Sequence, residues 1–436
     1  MRLFAFGSNG SGQLGIGHEE DVSTPTQCLF EQPEPSQRSQ ITTIQNTTLS
    51  DESQIISIAA GGNHTLLLTT SGSIYAAGCN EDGRCGPHRA TKPSNGHESN
   101  EGNILRFRRM ILSDAVSDTE VSKFKHVSAT WEGTIAVASK IESSYLAPRL
   151  KGNWVSEKDT TVSVPGACIP SFPPPDLRIT ALASGMAHSV AVLSNGDVYG
   201  WGGARKGQLG RENREGKVAY SPVRIRVPFF AEAVACGREF TVVSGPGKFV
   251  VLGDEGNRWG ILDVPKSLSL RAGLDDADRD HLQGDEQGCG GRGGTIRHPY
   301  TGIAASWHGV YVHATHELGR EEPSISDAKT NSDSDLAGGS IVAWGRNDRG
   351  QLPPPNLSPP AKLAVGSEHA IALLGDGRVA AFGWGEHGNC GPDTNSQGNV
   401  SGTYNVISLP EAVGVGAGAK VVGVGAGCAT SWMIAT

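Results

Sequence analysis

A short apolar run hinged on a glycine or other small residue returns seven times along the chain. The copies are AAGGNHTLLL at Gly61, SATWEGTIAV at Thr130, ASGMAHSVAV at Gly185, VACGREFTVV at Gly237, AASWHGVYV at Ser306, AVGSEHAIAL at Gly366 and GAGCATSWMI at Gly427. Their spacing, 52 to 69 residues, is that of one supersecondary unit per repeat, and such units bury their apolar faces by stacking on neighbours. A second half, a strand ending in a glycine-dense corner, can be counted separately. It appears from Leu3, Ser73, Asp197, Lys248, Ser340 and Arg378, with an eroded candidate near Trp154. The stretch Ala361 to Pro392 is the cleanest complete copy.

The chain starts on a second half and stops on a first half, and together the two make one whole unit. That arrangement suits a ring closed by pairing N-terminal with C-terminal strands, which leaves only short sheet edges. Near-continuous apolar runs such as Ile371 to Leu374 and Val379 to Phe382 suit sheets covered on both faces. Turn pairs Ser71-Gly72, Asn195-Gly196 and Asp376-Gly377 separate them, and the 59 glycines supply tight turns throughout. With about four strands per unit, the expectation is an all-β, seven-bladed β-propeller forming a single domain over residues 1–436. Six polar insertions, Glu31 to Ser53, His88 to Glu120, Glu142 to Asp176, Val264 to Arg297, His316 to Gly339 and Asp393 to Ser408, are expected to be long inter-strand surface loops.

A formal net charge of −8 argues against a surface built to neutralise many phosphates, so direct nucleic-acid binding is not expected. No signal-peptide h-region or membrane-length apolar run is present, and a soluble protein of the cytoplasm, with the nucleus as a second compartment, is expected. The eight cysteines include no C-x-x-C pair, and neither a zinc cage nor a disulfide framework is signalled. The glycine runs Gly414 to Gly418 and Gly423 to Gly427 lack the Lys-Ser/Thr of a phosphate loop. No metal or cofactor is expected.

The recurring steps Gly61/His64, Gly185/His188 and Gly366/His369 suit a shared structural hydrogen bond between a strand and the next turn. Departures from the repeat point elsewhere. Small residues give way to Trp131-Glu132, Trp307-His308 and Ser431-Trp432; such tryptophans either fill core gaps or stand as interface anchors, and Trp131 and Trp307 are expected to be partly exposed. In the corner Trp384 to Cys390, Glu386 and His387 stand where Asn347 and Asp348 stand in the preceding one. A Glu-His neighbour pair suits proton transfer, but no nucleophile or second carboxylate lies near in sequence, so the expectation is no enzyme activity. The same corner, with Glu368 and Asn389, is a candidate contact surface. The basic cluster Arg106, Arg108, Arg109 is expected at a loop edge, solvated or touching an acidic partner.

The corners FGSNGSGQLGIG (6 to 17) and WGGARKGQLG (201 to 210), each paired with a Gly-x-x-His strand, resemble the repeats of the regulator of chromosome condensation family. Three further stretches, AFGSNGSGQLGIGHEEDVSTP at the start, GWGEHGNCGP at 383 to 392 and GAGCATSWMI at 425 to 434, are similar to a fungal branch of it, the alpha-tubulin suppressor or killer-toxin-insensitivity proteins. That resemblance implies a non-catalytic propeller that forms a heterodimer with a small acidic CSL-type zinc-finger protein, which also binds iron and passes electrons. Through this partner it implies a part in Elongator-dependent modification of tRNA wobble uridines and in diphthamide synthesis on elongation factor two. The partner-binding residues expected are Trp131, Trp307, Glu368, Trp384, Glu386, His387 and Asn389. The alternative from the wider family is guanine-nucleotide exchange on a small GTPase.

Overall fold

Each unit lays down antiparallel strands whose residues are buried almost without alternation, because the sheets are covered on both faces. The second strands show it most plainly: His64–Thr69, His188–Leu193 and His369–Leu374 are buried at every position. The computed structural model describes residues 1–31, 53–86, 102–113, 120–121, 123–138, 144–147, 167–169, 172–254, 256–265, 268, 292–295, 302–313, 341–410 and 419–436.

Sheet 1 joins the two ends of the chain. Its strand order is Val22–Gln27, Arg2–Gly7, Thr430–Ala435, Val421–Ala426, with Arg2 opposite Ala435 and Gly7 opposite Thr430. Sheets 2 to 5 follow in chain order, their innermost strands Ile55–Ala60, Phe124–Ala129, Ile179–Ser184 and Ala233–Cys236. Sheet 6 begins with Gly302–Ser306 and sheet 7 with Pro360–Val365. Each innermost strand touches the next, and Val421–Ala426 of sheet 1 touches both Ile55–Ala60 and Pro360–Val365, so the ring is closed. The segment after Gly15 straps the closure further. Gly17 donates to the Leu105 carbonyl and Phe107 to the Leu29 carbonyl, tying sheet 1 to the outer strand of sheet 2.

The all-β propeller is therefore present, but the expected count of seven complete blades is not. Six sheets have four strands, and sheet 6 has three: Gly302–Ser306, Gly309–His313 and Ile341–Gly345. Where a fourth strand would follow, the chain reads PPPNLSP from Pro353 to Pro359. Proline has no N–H to donate to a ladder, so this segment is ill suited to pair as a strand.

The polar insertions need a second correction, because several of them contain the fourth strands. The fourth strands Ile104–Arg109, Ala167–Cys168, Arg292–Thr295 and Asn399–Ile407, and the third strand of sheet 3, Ser144–Ala147, all lie in stretches expected to be loops. An outermost strand has one neighbour and much solvent, so it needs no apolar run and leaves a weak signal. Arg106, Arg108 and Arg109 accordingly sit on a strand rather than at a loop edge. Trp154 and the run Gly414 to Gly418 lie outside the described residues.

The histidine steps are joints between sheets. His64 Nε2 lies 3.0 Å from the Thr134 hydroxyl, His188 Nε2 3.0 Å from Thr241, and His369 Nε2 2.9 Å from Ser431. Each hydroxyl belongs to the next sheet and donates back to a corner carbonyl of the histidine's own sheet, that of Arg84, Gln208 or Asn389. Because the hydroxyl donates there, it must accept from Nε2–H, which fixes the neutral tautomer. Burial holds the three imidazoles neutral, His64 down at about 3 and the other two at about 4. In sheet 6, which has Gly309 instead of histidine, the buried Tyr311 hydroxyl donates to the Gln351 carbonyl at 2.8 Å.

Candidate protein-docking face

The first-to-second-strand turns and the corners after the third strands come together at one end of the ring. Ser8, Cys79, Gly203, Asp254, Arg346 and Trp384 begin six corners, and each donates its N–H to the inner turn of its own sheet at 2.7 to 3.1 Å. The carbonyls accepting are those of Ala429, Asn63, Ala187, Glu239, His308 and Glu368. Gly7, just before the first of these bonds, has φ +116°, and a Cβ there would strike the Ala429 carbonyl oxygen. This is why a glycine stands just before each of these corners.

The inner turns also bond to one another around the axis. Gly62 donates to the Trp131 carbonyl, Trp131 to Met186, Arg238 to Trp307, Trp307 to Ser367 and Ser367 to Gly427. Beneath this ring of turns runs a channel of about 310 Å3, with lining residues from all seven innermost strands, among them Ser57, Ser128, Ser184, Cys236, Val365 and Ala426. Trp131 and Trp307 project from opposite sides of its mouth and meet, their centroids 5.5 Å apart. Both are half-buried.

Outward from Trp307 the face is built of indoles overlaid by guanidinium groups. Arg238 lies 5.5 Å from the Trp307 ring centroid, Arg258 4.8 Å and Arg346 4.7 Å from that of Trp259, and Arg349 5.3 Å from that of Trp384. Arg346 is neutralised by Asp348 at 2.6 Å and Glu368 at 2.7 Å. Arg238, Arg258 and Arg349 have no carboxylate partner among the described residues. Burial first, and then Arg238, Arg346 and Arg258, hold His308 neutral down to about 4. Arg238, Arg258 and Arg346 thus set a positive environment around His308, although the chain as a whole is acidic.

Of the residues expected from sequence, Trp131 and Trp307 form one group and Trp384, Glu386 and His387 a second. Trp384 Nε1 donates to Glu386 at 3.1 Å and its ring meets His387 edge-on at 5.3 Å. His387 in turn pairs with Asp21 of sheet 1 at 2.8 Å, so Glu386 and His387 turn to different partners. His308, Trp259, Arg346 and Glu368 link the two groups in one continuous path.

Glu368 and Asn389 are not surface groups. Glu368, 5% exposed, accepts from Arg346 and from Gln351, and the fully buried Asn389 donates to the Trp384 carbonyl at 2.7 Å. They support the face from below. Trp432 is likewise core, fully buried between sheets 1 and 2. Sequence reasoning passed over Arg258-Trp259, and the available signal was a tryptophan at a corner tip where other corners carry Gly10-Ser11 or Arg205-Lys206. Among the described residues no group of three or more His, Cys, Asp or Glu side chains is placed to hold a metal.

Models of the regulator of chromosome condensation (RCC1) repeat match residues 55–84, 179–208 and 361–389, and residues 2–68 and 195–244. An RCC1 repeat-containing protein of Schizosaccharomyces pombe is 26% identical, over 99% of this chain and 98% of its own. A mouse protein named secretion-regulating guanine nucleotide exchange factor is 26% identical over 95% of this chain and 82% of its own. Among solved structures, Prp20p of Saccharomyces cerevisiae, described with its binding to Gsp1p and histones, superposes with a TM-score of 0.62. It is 18% identical and covers 99% of this chain and 90% of its own. Human WBSCR16 superposes equally well at 16% identity, with full coverage of both chains. These structures share the fold.

Proposed function

We propose that this propeller, which carries regulator of chromosome condensation repeats, is a protein-binding platform whose tryptophan–arginine face docks a small acidic protein. The observation that carries the reading is the set of three indoles, Trp307, Trp259 and Trp384, each overlaid by an arginine with no carboxylate partner among the described residues. Tryptophan and arginine are the residue types that dominate interface energetics, and unpaired guanidinium groups over apolar rings suit a partner bearing carboxylates. The partner favoured is a small CSL-type zinc-finger protein with bound iron, and through it the propeller would serve wobble-uridine modification and diphthamide synthesis. Counting the three-stranded sheet as a shortened blade would give this ring seven units. Size-exclusion chromatography of the mixed proteins at micromolar concentration tests the pairing; separate elution of the two would sink it.

A second reading rests on the relatives. One is named as a guanine nucleotide exchange factor, and the yeast Prp20p structure is described with Gsp1p binding. Under this reading the same face would take a small GTPase and speed nucleotide release. A fluorescent-nucleotide release assay with a Ran-type GTPase separates the two, and no stimulation is expected.

A further inference from the structure

Among the described residues, the three-stranded sheet has no strand on the edge that the other six sheets pair with a fourth. Ile341–Gly345 pairs with Gly309–His313 on its inner side, from Ile341 opposite His313 to Gly345 opposite Gly309. On its outer side no ladder partner exists among the described residues. The Arg346 N–H points inward to the His308 carbonyl, and antiparallel alternation then turns the backbone groups of Ile341, Ala343 and Gly345 outward. The equivalent position in sheet 2 confirms the phase, since the Ile74 carbonyl there accepts from Met110 just beyond the outer strand.

Side-chain burial carries the same mark. Third strands flanked on both sides are buried nearly throughout, as in Ile74–Gly78, Val198–Gly203 and Val379–Trp384. In Ile341–Gly345 only Trp344 is buried, and Ile341, Val342 and Ala343 are half-exposed. Among the described residues, the connection that follows adds no ladder partner to this edge. Seven residues, 353–359, lead to the strand Pro360–Val365, four of them proline, and Leu357 packs against sheet 7.

We infer that this edge is a strand-addition site that takes an extended segment of a partner protein, with β-branched residues along it and a carboxylate at the corner end. An unpaired strand edge templates pairing with another chain, and main-chain bonds supply the affinity. The carboxylate preference comes from Arg258 and Arg349. The strand runs directly into the corner holding Arg349, and Trp344 Nε1 bonds the Ile261 carbonyl in the corner holding Arg258. The edge itself is separate from the tryptophan face, but the carboxylate preference shares Arg258 and Arg349 with it and rests on the same reading of those two arginines.

Hydrogen exchange on the full chain, with and without a short alternating valine–threonine peptide that begins with glutamate, so that antiparallel pairing sets the carboxylate at the corner, tests it. In the free protein the Ile341, Ala343 and Gly345 amides should exchange faster than those of Val342 and Trp344. Saturating peptide should slow the first three about tenfold or more. Ala343→Pro, which removes an outward donor while sparing the inward ladder, should abolish that protection with the melting curve retained. Protection already present in the free protein would mean that the chain covers its own edge. Protection that grows with protein concentration would mean that a second copy does. Either outcome, or no change on adding peptide, overturns the inference.

Discussion

Trp131 and Trp307 stand on sheets separated by two others, yet their indoles meet over the channel mouth at an interplanar angle of 44°. They are 176 positions apart in the chain, and nothing local brings them together. Neighbouring backbone bonds hold both turns, so the pair is a fixed feature of the face.

Truncating either tryptophan should therefore cost binding more than stability. Trp131→Ala or Trp307→Ala is expected to weaken association with the partner by about 2 kcal/mol or more, roughly thirtyfold. The double variant should lose less than the sum of the singles, because the two rings are in contact. Isothermal titration of the four proteins checks this.

The unpaired arginines should control encounter. Arg238→Glu, Arg258→Glu and Arg349→Glu are each expected to slow association with an acidic partner and to flatten its salt dependence, with less effect on dissociation. Surface plasmon resonance at two ionic strengths separates these rates.

The histidine joints should couple energetically across sheets. His188→Ala leaves the Thr241 hydroxyl without its donor in the core and is expected to cost about 1–3 kcal/mol. Thr241→Val should cost a similar amount, and the double variant should show positive coupling in urea unfolding.

Acid should act through the same joints. His64, His188 and His369 have folded-state values of about 3, 4 and 4, below the ordinary 6.5, so the unfolded chain binds more protons than the folded one between those limits. Their contribution is complete above pH 6.5 and is lost as pH falls toward 4, at up to about 1.4 kcal/mol per histidine per pH unit. Urea midpoints should fall steadily from pH 7 to pH 4.5. A variant with one of the three histidines replaced should show a shallower decline.

Glu368 should behave as a support. Glu368→Ala leaves Arg346 with Asp348 alone and Gln351 without one acceptor, and is expected to cost about 2 kcal/mol of stability. Any loss of binding should be partly restored by Glu368→Gln, whose single carbonyl oxygen keeps an acceptor for Arg346 while its NH2 replaces the oxygen that Gln351 faces. Differential scanning calorimetry alongside titration distinguishes support from direct contact.

Inner and middle strands announced themselves in sequence because they are buried on both faces, and runs such as HAIALL have few other uses. Outer strands such as Asn399–Ile407, with exposed Ser401, Gly402 and Thr403, did not, since one-sided burial demands little of composition. The missing strand of sheet 6 was readable in principle, because PPPNLSP, residues 353–359, is ill suited to a ladder; the repeat count alone concealed it.

The sequence by itself determined the repeat and its turns, which depend on residues close together or on periodic burial, and the pairing of the two chain ends, which follows from the half-repeat at each end. It also marked Trp131, Trp307 and the Trp384 corner as departures. Only the tertiary structure decided that Glu368 and Asn389 lie inside and that Trp259 belongs to the face. Only the ring, likewise, brings Trp131 against Trp307. Exposure and contact across a ring are properties of how sheets stack, and residues distant in the chain carry no local trace of them.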